Sequence, residues 1–107
     1  MTQLTIDIID NVATLSGTMR LESVRQTKAF LEPLFTAIKT QSITIDLTHL
    51  KLMNSNGISC FARLILLSDS YQKSIHFKLK SAYSWQNKQL RPLNQLSKHV
   101  TFSDDDE

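Results

Sequence analysis

Ile43-Thr44-Ile45-Asp46-Leu47-Thr48-His49-Leu50-Lys51-Leu52-Met53-Asn54-Ser55-Asn56-Gly57-Ile58 is the stretch on which the fold turns. Its first five residues are β-branched or apolar around a single Asp and are bounded by polar neighbours, the pattern of a short, buried central strand. A loop carrying Leu50, Leu52 and Met53 is expected next. Asn54-Ser55-Asn56-Gly57 then gathers capping residues directly before an apolar periodic segment from Ile58 to about Tyr71, so a helix is expected to begin there. Ile58, Phe61, Ala62 and Ile65 form one face, which Cys60, Leu64 and Leu67 widen. A stripe that wide belongs to a core.

Towards the N-terminus, Leu4, Ile6 and Ile8 alternate with Thr5 and Asp7, and residues 12–17 read as a second short strand. Asp10-Asn11 between them suits a hairpin turn. Over residues 23–39, Val24, Leu31, Leu34, Phe35 and Ile38 recur at helical spacing. Pro33 removes a backbone donor there, so a kink or restart is expected near Glu32. Towards the C-terminus, residues 75–79 alternate as a strand. Residues 84–97, with Trp85, Leu90, Leu93 and Leu96, read as a helix strained by Pro92, and residues 99–102 as a last short strand. The order ββαβαβαβ describes an α/β fold with a mixed, mainly parallel sheet, because strands separated by helices join by right-handed crossovers. One domain over residues 4–103 is expected, with an acidic, disordered tail at 104–107.

The chain has 107 residues, 41% of them apolar and 21% charged, the balance of a folded soluble domain. Of its ten acidic residues four lie in the tail, so the body is basic, with six acidic residues against twelve basic. Those basic residues are spread singly, without the clustering or the aromatic motif of a nucleic-acid binder, so no nucleic-acid partner is expected. Cys60 is the single cysteine, and His49, His76 and His99 are scattered without companions, which leaves neither a disulfide nor a metal shell to assemble. A reduced, cytoplasmic setting is expected. The longest apolar run, residues 64–67, falls far short of the roughly 20 residues that span a bilayer, so no membrane partner is expected. No nucleophile–base pair, paired carboxylates or glycine-rich phosphate loop stands out, so an enzyme is not expected, nor a cofactor.

Asn54 to Gly57 follows the carboxyl end of a strand, where α/β sheets meet their ligands and partners. Ser55 is placed at a helix N-terminus, where free N–H groups and the helix dipole favour a phosphate on its hydroxyl, and Gly57 would let another chain approach. On chemistry alone, Asn54 or Ser55 serving simply as the helix cap also accounts for this composition. Among the other residues, Cys60 and Trp85 read as core, and Asp46 as a hydrogen-bond acceptor for the loop that follows it.

Residues 43–48, followed by Leu50 and Leu52-Met53-Asn54-Ser55-Asn56-Gly57-Ile58, resemble the central signature of the STAS domain, the family of anti-sigma factor antagonists. The family form is a buried strand ending in Asp, a short apolar loop, then Asp-Ser-Ser/Thr-Gly-Leu opening a helix. The length, the element order, Gly17 after the second strand and the closing residues 93–102 are similar too, so the resemblance covers roughly residues 4–103. It implies that Ser55 is the phosphoacceptor of a GHKL-type serine kinase. The unmodified protein would bind that kinase or an anti-sigma factor, and a phosphate would break the complex.

Asn54 replaces the family's Asp and Asn56 its second hydroxyl residue, while Gly17-Thr18-Met19-Arg20 replaces Gly-Glu-Leu-Asp. This loss of negative charge implies a divergent partner. The expected docking surface comprises Arg20, Arg25, Asn54, Ser55, Asn56, Gly57, Ser59 and Arg63. A weak homodimer through the same helix, competing with the partner, is a further expectation. The alternative is a STAS-like module that binds a nucleotide or lipid in a concave apolar pocket, or serves in assembly, and is never phosphorylated.

Overall fold

The structure, a computed structural model, describes residues 4–104. Five strands form one sheet in the order β1 (Thr5–Ile9), β2 (Val12–Met19), β3 (Ile43–Met53), β4 (Ile75–Leu79), β5 (Val100–Asp104). β1 and β2 are an antiparallel hairpin closed by Asp10, whose φ of 56° is a conformation Asp tolerates, and the three later pairings are parallel. The sheet is therefore mixed and mainly parallel, as the alternation of strands and helices implied.

The helical connections are α1 (Val24–Phe30), α2 (Glu32–Ala37), α3 (Ser55–Ser70), α4 (Ser84–Gln89) and a 3₁₀ segment, Arg91–Leu96. α1 is capped by the Ser23 hydroxyl, which accepts from the Gln26 N–H at 3.0 Å. The chain restarts at Leu31, with Pro33 in the first turn of α2, where its missing N–H costs nothing. The second proline has a stronger effect than expected: residues 84–97 are a six-residue α-helix and then 3₁₀ geometry with Pro92 in its first turn, because proline cannot donate into an α-helical ladder.

The largest departure from expectation is β3, which runs eleven residues to Met53 and takes in Leu50, Leu52 and Met53, expected in a loop. It stays paired to β2 as far as Met19–Met53, but its register slips twice, between Thr14 and Ser16 and between Gly17 and Thr18. The first slip follows from Asp46, whose Oδ1 accepts from the Thr48 N–H at 3.0 Å and the Thr48 hydroxyl at 2.7 Å. This local turn bulges the strand at Leu47-Thr48, both buried. Gly17 sits at the second slip with φ 102°, a conformation that other residues rarely adopt. The broken alternation of these residues is therefore that of a bulged strand.

α1 and α2 pack beside α3, and α3 beside the 3₁₀ segment, so the helices form one layer on the sheet. Between the layers lie Leu15, Ile45, Leu47, Phe61, Leu64, Ile65 and Phe77, all fully buried. The Phe61 and Phe77 rings sit 5.5 Å apart and tilted, and Phe77 stacks on Phe102 at the same distance. The other face of the sheet bears polar cross-strand rows such as Asp7–Thr14–Asp46–Lys78–Ser103. Among the described residues no helix is long and apolar enough to cross a membrane. Asp104, expected in the tail, ends β5 and pairs with Arg91 at 2.9 Å, and the remaining tail residues lie outside the described ones.

Candidate functional site

β3 delivers the chain to α3 through Met53 and Asn54. The Asn54 N–H donates to the Met19 carbonyl at 3.0 Å, the last rung between this junction and β2. Asn54 is the N-cap of α3: its side-chain oxygen accepts from the Gly57 N–H at 3.3 Å. Its amide donates to the Leu21 carbonyl at 2.9 Å, and the Asn56 amide donates to the same carbonyl at 3.0 Å. Two asparagines thus tie the segment between β2 and α1, which carries Arg20, to the first turn of α3. A carboxylate at either position has no hydrogen to offer that carbonyl, so this contact selects Asn.

With Asn54 as the cap, Ser55 occupies the first helical position, exposed, and its hydroxyl makes no hydrogen bond among the described residues. Ser59 lies one turn further along the same exposed side and Arg63 one turn beyond that. Arg20 and Arg25 are exposed on the neighbouring segment and α1. Lys28 and Arg63 both bring positive charge near Cys60, whose thiol hydrogen-bonds the Val24 carbonyl at 3.6 Å between α1 and α3. Burial pushes that thiol up from its ordinary value, and the two cations pull partly against it. The expected site residues therefore come together along α3 and its α1 side, with Gly57 as the exception.

Gly57 is buried within the chain itself. A Cβ at this position would run into Met53 Cγ and lie 2.7 Å from Met53 Sδ and 2.8 Å from Met19 Sδ. The close approach that requires glycine is made by the chain's own methionines.

The start of α3 also borders an open cleft of about 630 Å³. One wall is Met53, Asn54, Ser55, Ile58 and Ser59, and the opposite wall is Lys88 and Gln89 of α4 with Pro92 beyond. None of these three was expected at the site. The wall is anchored by two neighbours. Gln86, fully buried, donates from Nε2 to the Leu47 carbonyl at 2.8 Å and the Leu50 carbonyl at 3.1 Å, and accepts from the Lys80 N–H at 2.7 Å. Trp85 Nε1 donates to the Lys51 carbonyl at 2.8 Å. β4 pairs with β3 only as far as Asp46, so these carbonyls have lost their strand partner, and α4 supplies donors in its place. One signal for Gln86 exists in the sequence: it lies four and seven residues before Leu90 and Leu93, on the inward stripe of the segment.

Among the described residues no group of three or more His, Cys, Asp or Glu side chains is placed to hold a metal ion. No protein-family model matches the chain, and no curated protein matches it in sequence.

Proposed function

We propose that the protein is a small cytoplasmic regulator of the partner-switching type, acting by docking and without catalysis of its own. In this reading its unmodified form binds a GHKL-type serine kinase or an anti-sigma factor, and phosphorylation of Ser55 ends that contact. The observation that carries it is the division of labour at the start of α3. Asn54 does the capping, so Ser55 presents an exposed hydroxyl with no structural duty.

The docking face consists of Arg20, Arg25, Ser55, Ser59 and Arg63, which are exposed, with Asn54 and Asn56 half-buried at its edge. It is cationic, the reverse of the acidic charge that the STAS signature carries at these positions, so the complementary partner face is acidic. A phosphate on Ser55 adds nearly two negative charges to this face and repels such a partner. The two asparagines that depart from the signature are accounted for by their shared bond to the Leu21 carbonyl.

The test is phosphorylation in the presence of ATP by each GHKL-type kinase of the same genome, read by intact mass and peptide mapping. One added phosphate, lost in Ser55→Ala, is the expected result. Tight binding without modification would make the protein a constitutive docking module. The cleft, whose volume falls in the range of small-molecule sites, favours a second reading, a nucleotide- or lipid-binding module of the same fold. That reading predicts that Ser55→Asp leaves partner binding unchanged and that a ligand shields the Ser55 wall from exchange.

A further inference from the structure

We propose that a phosphoryl group on Ser55 is held inside the cleft by Lys88, so that modification closes the cleft in addition to changing the charge of the docking face. The proposal rests on the reading of Ser55 as phosphoacceptor. A kinase would transfer the terminal phosphoryl of ATP to Ser55 Oγ, releasing ADP and the hydroxyl proton, and the product dianion is what Lys88 receives.

Three observations carry it. Ser55 at the start of α3 and Lys88 of α4 line the same cleft, and no carboxylate lines it. Lys88 makes no ion pair among the described residues, whereas Arg91, the next cation along the chain, is already held by Asp104. The turn that precedes Lys88 is fixed to β3 through Trp85 and Gln86, so the ammonium is offered from an anchored wall. The remaining charged groups on the elements beside this end of α3 are Arg20 and Glu22, in the segment between β2 and α1, Arg25 and Lys28 on α1, and Lys51 near the end of β3. α3 itself bears no charge before Arg63.

An ammonium–phosphate contact is charge-assisted and joins α3 to α4 across the opening. A partner side chain that uses the cleft is then excluded by occupancy, and the switch does not rely on repulsion alone.

The experiment places phosphoserine at position 55 during translation, in otherwise unmodified protein and in Lys88→Gln, Arg25→Gln and Lys98→Gln backgrounds, and follows the phosphorus resonance through a pH titration. Lys98 is exposed and outside the cleft, so Lys98→Gln controls for net charge. Phosphoserine loses its second proton near pH ~6, and a nearby ammonium lowers that midpoint by about 0.5 or more. The lowered midpoint is expected to persist in Arg25→Gln and Lys98→Gln and to rise towards the free-peptide value in Lys88→Gln, the helix N-terminus keeping part of the shift. Equal midpoints in all four proteins, or a return in Arg25→Gln alone, overturn the proposal. Because the phosphate is installed without a kinase, a failed kinase screen bears on the phosphoacceptor reading and this titration on the cleft.

Discussion

At Asn54 one side chain performs two tasks that separate under substitution. Asp serves as well as Asn at an N-cap, so Asn54→Asp retains the bond from the Gly57 N–H but sets a carboxylate against the Leu21 carbonyl. Denaturant unfolding of Asn54→Asp should show a loss of about 1–2 kcal/mol. Stability equal to the parent would mean that the Leu21 contact contributes nothing. Gly57→Ala should cost about 1–3 kcal/mol, because Met53 and Met19 have to repack around the added methyl. Trimming Met19 to Ala in the same protein should recover part of that loss, and a purely additive result would place the strain elsewhere. The sequence named the capping cluster and left open which residue caps. What it could not carry was the identity of the acceptor, since Leu21 lies 33 residues from Asn54 and 35 from Asn56. The glycine was legible as a close approach, but not as an approach by methionines from two different strands.

At the scale of elements, β3 and α4 are best understood together. β3 extends past the end of β4 because its bulges let it follow β2 to Met53, and the carbonyls so exposed need donors from elsewhere. Gln86 supplies two such bonds from a fully buried position. Gln86→Leu keeps the volume and leaves the Leu47 and Leu50 carbonyls and the Lys80 N–H without partners, which should cost roughly 3 kcal/mol. Amide exchange in that variant should accelerate first at Lys80, and no acceleration there would show that another acceptor within the protein takes up that N–H. The strand's first half was legible because Ile43, Ile45 and Leu47 alternate. Its second half read as a loop because the Leu47-Thr48 bulge shifts the alternation and exposed His49 and Lys51 interrupt it. The two prolines were legible as interruptions, yet only the structure distinguishes a restart at Leu31 from a change to 3₁₀ geometry at Arg91. The cleft follows from this pairing of elements, which is why Lys88 escaped a reading that follows the chain.

For the molecule as a whole, parallel strands in sequential order set every helix on one face of the sheet, and α3, flanked by α1 and α2 on one side and the 3₁₀ segment on the other, becomes the centre of that layer. Element order and a mainly parallel sheet were legible from the alternation of periods; the polar row through Thr14, Asp46 and Lys78 was not, because it depends on a register between strands far apart in the chain. Cys60, beneath α1 and wholly buried, reports on the cohesion of this layer. An aromatic disulfide reagent should modify it only from the opened state, and at reagent concentrations where reclosing outpaces modification the rate at neutral pH should track the unfolding equilibrium across destabilised variants such as Gly57→Ala. Rapid modification of the native protein would show that α1 lifts from α3 on its own. The same burial gives stability a pH signature. Desolvation raises the folded thiol above its ordinary 9.0 and outweighs the opposing pull of Arg63 and Lys28. A raised pKa means that the folded state retains a proton that the unfolded state releases. The contribution is therefore complete below the unfolded value and is lost as pH climbs from there through the folded value, at up to about 1.4 kcal/mol per pH unit. Cys60→Ala lacks this proton, so the stability difference between parent and variant should stay constant up to about pH 8 and move against the parent above pH ~9. A difference that moves in the parent's favour there would mean that the two cations, and not burial, govern the thiol.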